Sequence, residues 1–89
     1  MGTKWKWYVY IILCKDGSYY VGMTWRPELR MDQHASGLGG KYTAKHGFKN
    51  LVYLEEYEDL EQARLREKQL HGWTRKKKEK LIYGEWTKI

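Results

Sequence analysis

The hydrophobic pattern opens with a ten-residue stretch, Trp5 to Cys14. Apart from Lys6, apolar or aromatic side chains occupy both sets of alternate positions. One set consists of Trp5, Trp7, Val9, Ile11 and Leu13, and the other of Tyr8, Tyr10, Ile12 and Cys14. A strand that is covered on both sides has this pattern. Lys15-Asp16-Gly17 then supplies turn chemistry, and Ser18 to Trp25 forms a returning strand. The pattern predicts a hairpin whose first strand lies inside a sheet.

The next segment changes from strand to helix periodicity. Pro27 suits the first turn of a helix that runs to about Ser36, and Met31, Ala35 and Leu38 fall at helical spacing, so we expect them to face the core. The stretch GLGGKYTAKHGFKN follows, with four glycines, three lysines and a histidine, and it predicts a flexible, positively charged loop.

The second half of the chain predicts one more strand and two capped helices. Leu51 to Tyr57 begins with LVYL and is predicted to be the third strand. Asp59 is a good N-cap for a helix to about His71, and Thr74 for a short helix to about Tyr83, with Gly72 between them. The expected fold is α/β (α+β): one domain over residues 1–89, with a three-stranded, mainly antiparallel sheet flanked by three helices.

Charge and cysteine content narrow the choice of partner and compartment. The 89 residues include 17 Lys and Arg against 11 Asp and Glu, which gives a net charge of +6 and a pI near 9.4. This balance favours a polyanion such as nucleic acid, although positive charge also simply keeps proteins dispersed. Cys14 is the one cysteine, and no apolar run approaches the ~20 residues of a membrane helix. We therefore expect a cytoplasmic protein with no membrane partner.

The hairpin register decides whether two tyrosines share one face. With a two-residue loop at Asp16-Gly17, Leu13 would face Tyr20, and Tyr10 and Tyr20 would lie on opposite faces. With a three-residue loop at Lys15-Asp16-Gly17, Tyr10 would face Gly22, and the missing side chain would leave space over the Tyr10 ring. The sequence Asp-Gly permits either turn, and tyrosines that merely pack are the ordinary alternative.

Glu67 stands out on the helix that follows the third strand. Leu60, Ala63 and Leu70 define an apolar stripe at helical spacing, and Glu67 lies on it. A carboxylate there loses hydration unless a cation or hydrogen-bond donors compensate. It can bend outward to solvent or pair with Arg64 or His71, or it can hold a Mg²⁺ ion that also takes waters and a substrate phosphate.

Two further groups carry candidate chemistry. Arg30 and His34 are four residues apart and share a helix face, where an arginine fork suits a phosphate and a histidine can move protons. Such pairs also occur on solvated faces. The last predicted helix is strongly basic, and with the lysines of the predicted loop it has the composition of a surface that follows a nucleic-acid backbone. These basic residues are Arg75, Lys76, Lys77, Lys78 and Lys80, with Lys41, Lys45 and Lys49. The three histidines and Cys14 do not have zinc-ligand spacing.

Taken in order, these segments resemble the GIY-YIG nuclease domain, and in particular its small stand-alone bacterial members. The resemblance rests on YVY, then YVG ten residues on, MTWRPELRMDQH, GGKYT, LVY and REKQL, and it runs from about Trp7 to Ile82. Two positions depart from the family pattern. Tyr8 replaces the first glycine that gives the family its name, and His71 stands where many relatives have lysine.

The resemblance implies a compact α/β nuclease that uses one divalent ion, Mg²⁺ or Mn²⁺, held by Glu67. It implies that Tyr10 is the general base or orients the attacking water, and that Tyr20 positions the water and the scissile phosphate. Arg30 would steady the transition state, and His34 could relay a proton. The residues expected to contact substrate are Gly22, Arg26, Lys41, Tyr42, Thr43, Lys45, Arg75, Lys76 and Lys77. Because both tyrosines must converge on one phosphate, the resemblance requires the longer loop, Lys15-Asp16-Gly17.

The expected function is metal-dependent hydrolysis of phosphodiester bonds in nucleic acid, DNA rather than RNA, by a monomer or weak dimer. The alternative is a non-catalytic nucleic-acid-binding module on the same scaffold, which would bind in a salt-sensitive manner without cutting. A third candidate, a protein-interaction domain, has only Trp73 and Trp86 in its favour.

Overall fold

A computed structural model describes residues 5–84, so Trp86 lies outside the described residues. Within this range the elements, in chain order, are β1 (Trp7–Cys14), β2 (Tyr19–Thr24), α1 (Pro27–Ala35), α2 (Lys41–His46), β3 (Phe48–Tyr57), α3 (Leu60–His71) and α4 (Arg75–Ile82). The three strands form one sheet in the order β2-β1-β3, and both neighbours run antiparallel to β1. The expected three-stranded α+β fold with β1 in the centre is confirmed.

The hairpin adopts the longer of the two possible loops. Tyr10 pairs with Gly22, and Ile12 pairs with Tyr20. The Cys14 N–H donates to the Ser18 carbonyl at 2.8 Å, and the Gly17 N–H donates to the Cys14 carbonyl at 2.9 Å. Gly17 has a φ of 88°, which favours glycine at the end of such a turn. The predicted loop Lys15-Asp16-Gly17 is therefore confirmed, and Tyr10 and Tyr20 lie on one face.

The two faces of β1 support two separate apolar clusters. Val9 and Ile11 pack with Ala63 and Leu70 of α3 and with Leu81 of α4. On the other face, the cluster contains Tyr10, Ile12 and Cys14, with Tyr20, Met31, Phe48 and Leu51 packed against it. Helices α3 and α4 thus cover one side of the sheet, whereas α1 covers the side that carries Tyr10.

The prediction of a continuous loop over GLGGKYTAKHGFKN is wrong. Residues Lys41–His46 form α2, and β3 begins at Phe48 rather than Leu51, so four helices flank the sheet instead of three. Two of the glycines bound the helix: Gly40 has a φ of 151° and Gly47 a φ of 82°. They set where a short helix begins and ends, and the buried Thr43 attaches that helix to the rest of the fold.

The prediction that Ala35 and Leu38 face the core is also wrong. Met31 packs against the sheet, but Ala35 is exposed and Leu38 is 82% exposed. Helix α1 ends at Ala35, and Gly37, with a φ of 86°, turns the chain, so that Leu38 no longer follows the helical spacing. The residue of α1 that is fully buried is His34.

Both predicted N-caps are confirmed. The Asp59 side chain accepts a hydrogen bond from the Glu61 N–H at the start of α3, and the Thr74 hydroxyl accepts one from the Lys77 N–H at the start of α4. These caps satisfy backbone donors that have no partner within the helix. None of the helices within residues 5–84 is long and apolar enough to cross a membrane.

Candidate active site

Tyr10 lies at the centre of the candidate site, and Gly22 makes room for it. The Tyr10 side chain is 1% exposed although it carries a hydroxyl group. A Cβ atom added at Gly22 would come within 2.6 Å of the ring carbon that bears this hydroxyl, a distance too short for two carbon atoms. The cross-strand neighbour of Tyr10 therefore has to be glycine for the ring to lie where it does.

Tyr10 is joined to two other buried polar side chains in a row. Its hydroxyl is 3.0 Å from Nε2 of His34, and Nδ1 of His34 is 2.7 Å from Oγ1 of Thr43. His34 and Thr43 are each 1% exposed. A neutral imidazole has one N–H and one lone pair, so it donates to one of these hydroxyls and accepts from the other. The three residues come from β1, α1 and α2, and together they form the Tyr10–His34–Thr43 chain.

Gly39 leaves room for His34 in the Tyr10–His34–Thr43 chain, and it was not among the site residues expected from the sequence. A Cβ atom there would lie 2.6 Å from Nδ1 of His34 and 2.7 Å from its backbone nitrogen. Gly39 is itself buried, so the loop after α1 closes directly over the histidine. The available signal was the Gly39-Gly40 pair directly before the KYT segment, since adjacent glycines can mark a close approach of the backbone as well as a turn.

Burial keeps Tyr10 and His34 neutral at physiological pH. Loss of hydration, reinforced by the nearby Arg30 charge, lowers the pKa of His34 to about 4. Loss of hydration also raises the pKa of Tyr10 to about 12, although a hydrogen bond from Arg30 acts in the opposite direction. A neutral hydroxyl that is hydrogen-bonded to a neutral imidazole can pass a proton along the Tyr10–His34–Thr43 chain. None of the three side chains needs to be ionised before the transfer.

Aromatic rings extend the site from Tyr10 toward the hairpin loop. The Tyr20 ring centroid is 5.5 Å from that of His34 and 5.4 Å from that of Tyr42. Tyr42 in turn stacks on His46 at 4.1 Å, and His46 is hydrogen-bonded to the Asp16 carboxylate. The predicted residues Tyr20 and Tyr42 are thus brought together with Tyr10, whereas Asp16 and His46 were not foreseen.

The charges of Arg30 and Glu67, on two different helices, both act on the Tyr10 hydroxyl. Arg30 lies near enough to act on the hydroxyl of Tyr10, and its Nη1 donates to Oε1 of Gln33 at 3.0 Å. Glu67 lies on α3 between the buried Ala63 and Leu70, yet its side chain is 27% exposed. Burial is the largest cause that raises the pKa of Tyr10. The neighbouring Tyr20 and the Glu67 charge raise it further, in that order. Glu67 also pairs with His71 at 3.5 Å, the kind of neighbour considered from the sequence.

The remaining predicted substrate residues divide into two groups. Lys41 and Lys45 are exposed on α2, the helix that also carries Tyr42 and Thr43. Arg26 is exposed before α1, where its guanidinium carbon lies 5.5 Å from the centroid of the Trp25 ring.

The basic residues of α4 are not brought to this cluster. Helix α4 packs on the other face of the sheet, and Arg75 is engaged there: its Nη1 donates to the Gly17 carbonyl at 2.6 Å and its Nε contacts Glu79 at 3.1 Å. Lys76 and Lys77 are exposed, and Nζ of Lys77 is 5.0 Å from the Trp73 ring centroid. The basic residues of α2 and of α4 thus belong to opposite faces of the sheet.

The side chains near Tyr10 do not surround a divalent cation by themselves, but they fit one that is bound together with substrate. Within residues 5–84 there is no cluster of three or more acidic, histidine or cysteine side chains of the kind that encloses a metal ion. Glu67 offers one partly exposed carboxylate. Mg²⁺ is often held by one or two carboxylates, with waters and a substrate phosphate completing its octahedral shell. The donor set therefore fits an ion that is bound jointly with substrate.

Comparison with known proteins gives the family of this site. The family model of the GIY-YIG catalytic domain matches residues 6–80. A UPF0213 protein of Enterococcus faecalis is 39% identical over 84 residues, which covers 92% of this chain and 96% of that protein. UPF0213 protein BH0048 of Halalkalibacterium halodurans is 43% identical over 75 residues, covering 84% of this chain and 80% of that protein.

Two solved structures have the same fold. The solution NMR structure of protein EF2693 from E. faecalis aligns with a TM-score of 0.65 at 34% identity, over 100% of this chain and 95% of that one. The solution NMR structure of UPF0213 protein BH0048 from Bacillus halodurans aligns with a TM-score of 0.57 at 42% identity, over 88% and 83%. The sequence motifs, the fold and these relatives agree, and the chain belongs to the GIY-YIG family.

Proposed function

We propose that the protein hydrolyses phosphodiester bonds in nucleic acid, DNA in preference to RNA, with one Mg²⁺ or Mn²⁺ ion, as a monomer or weak dimer in the cytoplasm. The observation that carries the proposal is the buried Tyr10 hydroxyl, which is hydrogen-bonded to His34 and on which the charges of Arg30 and Glu67 act. GIY-YIG nucleases are in general metal-dependent, and the net charge of +6 suits a polyanionic substrate.

In the proposed reaction, water attacks the phosphorus atom in line with the leaving oxygen. The water donates its hydrogen bond to the Tyr10 oxygen, and as the water proton moves to Tyr10, the Tyr10 proton moves to Nε2 of His34. Thr43 accepts from Nδ1–H of His34 and thereby keeps the Nε2 lone pair directed at Tyr10. With a pKa of about 4, His34 is a weak base, so placement of the water contributes more than proton removal.

Arg30 and Glu67 act on the phosphate in this proposal. The Arg30 guanidinium hydrogen-bonds the non-bridging oxygens and neutralises the charge that develops on them. Glu67 would hold the divalent cation through its carboxylate, and its contact with His71 would then be lost. When bound there, such a cation supplies electrostatic stabilisation of the departing oxyanion. Tyr20 lies beside His34 and lines the space next to the water.

The test is a cleavage assay on labelled single-stranded, duplex and branched DNA and RNA in Mg²⁺, Mn²⁺ or EDTA. Glu67→Gln keeps the size of the side chain but removes its charge, and Glu61→Gln on the same helix is the matched control. We expect metal-dependent cutting that falls by at least about 100-fold in Glu67→Gln and stays at the wild-type level in Glu61→Gln. Unchanged cutting in Glu67→Gln would refute the proposed role of this carboxylate.

The second candidate is a nucleic-acid-binding module that does not cut. The observation in its favour is the contact between Oε2 of Glu67 and Nε2 of His71 at 3.5 Å, because a carboxylate that already has a partner must give up that contact to hold a cation. This candidate predicts salt-sensitive binding that needs no metal, and no cleavage of any substrate under any of the three conditions. Cutting by the wild type, lost in Glu67→Gln, excludes it.

A further inference from the structure

A group of exposed aromatic and apolar side chains lies beside the start of α1, outside the Tyr10–His34–Thr43 chain. Trp5 is 65% exposed, Trp25 42% and Leu29 44%. With Arg26 they border an open cavity of about 570 Å³, large enough for a small organic ligand. We call Trp5, Trp25, Arg26 and Leu29 the tryptophan patch. Contiguous exposed apolar side chains of this kind mark binding surfaces more often than isolated ones do.

The tryptophan patch is continuous with the proposed reaction centre. A neighbouring cavity of about 460 Å³ is lined by three members of the patch, Trp25, Arg26 and Leu29, and also by Arg30. Arg30 is also the residue whose guanidinium acts on the Tyr10 hydroxyl. A chain molecule whose phosphate lies against Arg30 would therefore reach the two tryptophans with the groups next to that phosphate.

We infer that the tryptophan patch binds an unpaired nucleobase of the same strand that carries the scissile phosphate. The inference rests on the proposed function and names its substrate class: nucleic acid that is single-stranded, or unpaired beside the cut. Tryptophan rings stack on any base through its flat face, and arginine adds charge for the adjoining backbone. Bases inside a duplex are already stacked and cannot offer a face to a protein ring without being extruded.

The geometry of the two rings suits one flat ligand. The Trp5 and Trp25 centroids are 4.6 Å apart with an angle of 85° between the ring planes, so the rings form a corner. A base that stacks on one ring meets the other ring with its edge, an arrangement that aromatic pairs favour.

The charged side chains around the cavity suit the base and its phosphate at different positions. Glu28 lines the same cavity, and its carboxylate repels a phosphate but accepts a hydrogen bond from the amino group of a base. Arg26 and Arg30 both line the neighbouring cavity, and their positive charges suit the backbone phosphates. This arrangement, with a net charge of +6, fits a polyanionic strand better than an apolar helix of a protein partner.

The experiment measures binding in EDTA, so that no strand is cut. The full-length wild type is titrated into a fluorescently labelled 12-nucleotide poly(dT) strand, a poly(rU) strand and a blunt DNA duplex of equal length, and the anisotropy is recorded. We expect tighter binding to the single strands than to the duplex. Trp25→Ala and Trp5→Ala should each weaken single-strand binding by about 10-fold, within the range of one lost base stack, while Trp25→Phe keeps most of the affinity. Tyr83→Ala, which removes another exposed ring, is the control.

The outcomes distinguish this inference from the proposed function. Wild-type single-strand affinity in both alanine variants overturns the inference, even if the protein cuts nucleic acid. Loss of affinity in both, with no cutting in any metal, refutes the proposed hydrolysis but leaves the base-binding patch. If sedimentation shows that the variants lose self-association and the single-strand affinity is unchanged, the patch joins two copies of this chain and the inference fails. Circular dichroism checks that each variant is folded.

Discussion

Gly22 and Gly39 both lie where a larger side chain would strike a ring of the candidate site. A Cβ atom at Gly22 would collide with Tyr10, and one at Gly39 with His34 and its backbone. Neither residue has a positive φ, so their value lies in the absent side chain and not in backbone freedom. Two of the nine glycines thus shape the Tyr10–His34–Thr43 chain.

Gly22→Ala should displace Tyr10 and damage activity more than stability. We expect a loss of about 1–3 kcal/mol in the free energy of unfolding from overpacking, and a cleavage rate at least ten-fold lower because the hydroxyl moves away from His34. Thermal unfolding and the cleavage assay measure the two effects. Gly17→Ala is the control: its φ of 88° strains alanine, but nothing lies within 4 Å of the added atom. Normal cleavage by Gly22→Ala would contradict the placement of Tyr10.

His34 should make the fold sensitive to mild acid. Its pKa is lowered to about 4 by burial and the Arg30 charge, whereas an unfolded histidine titrates near 6.5. Between these values the unfolded chain binds the extra proton, so stability is full above about pH 6.5 and is lost as the pH falls toward 4. From pH 7 to pH 5 we expect a loss of about 2 kcal/mol from this group.

Urea unfolding at several pH values measures this effect, and His34→Gln is the comparison. Asp16 has a lowered pKa because of its hydrogen bonds to Ser18 and His46, but this carboxyl titrates below pH 4 and stays outside the window. The variant should be less stable at pH 7 and show a flatter pH dependence than the wild type. Equal slopes in the two proteins would mean that His34 is not held neutral.

One acidic residue connects an edge strand to a helix. Glu55 of β3 accepts hydrogen bonds from Nε and Nη2 of Arg66 in α3, at 3.0 and 2.8 Å, and from the hydroxyls of Tyr53 and Tyr57. The Glu55 and Arg66 side chains are only 18% and 21% exposed. The acidic stretch LEEYEDLEQ looks like a solvated face in the sequence, but this member of it is a structural anchor between β3 and α3.

Glu55→Ala and Glu56→Ala should therefore differ sharply. The first leaves Arg66 and two tyrosine hydroxyls without their acceptor, and we expect a loss of about 2–3 kcal/mol in the free energy of unfolding. The second breaks an exposed pair with Lys6, whose side chain is 42% exposed, and should cost much less because solvent screens the two charges. Chemical denaturation of the two variants gives the comparison. Equal losses would remove Glu55 as an anchor.

The elements that the sequence predicted well are those with a local signal. Helices α3 and α4 have capping side chains, Asp59 and Thr74, and β1 has a filled pattern on both faces. Helix α2 has no capping side chain and spans six residues between two glycines, so a helical state there depends on tertiary contacts such as Thr43 with His34. The hairpin register was undetermined locally and followed from the family resemblance.

The sequence predicts which residues form the candidate site, but not the hydrogen bonds and contacts that join them. The sequence placed Tyr10, Tyr20, Arg30 and Glu67 in one neighbourhood through the family motifs. It could not show that Thr43 orients His34, because that contact joins two helices across a turn of glycines. It also counted Arg75 among the substrate residues, whereas the structure engages this side chain with Gly17 and Glu79.

The uneven placement of charge gives a prediction for the whole molecule. Lys45 is on α2, beside the aromatic rings of the candidate site, whereas Lys76 is on α4, across the sheet. We expect Lys45→Ala to weaken nucleic-acid binding and to reduce the slope of log affinity against log salt by about 0.7–0.9, the effect of one lost phosphate contact. Lys76→Ala should change the slope much less. Binding measured at four salt concentrations decides, and equal changes would indicate that substrate wraps around both faces.

The central position of β1 also determines which backbone hydrogen bonds should break last. Both edges of β1 are hydrogen-bonded to neighbouring strands, and Val9, Tyr10, Ile11 and Ile12 are at most 1% exposed. Their amide hydrogens should exchange with solvent deuterium only in global unfolding, whereas those of α2 should exchange through small local fluctuations. On this expectation Tyr10 lies on a segment that stays folded longest and Thr43 on one that opens early. Transient release of α2 would then interrupt and restore the proposed proton pathway while Tyr10 keeps its place.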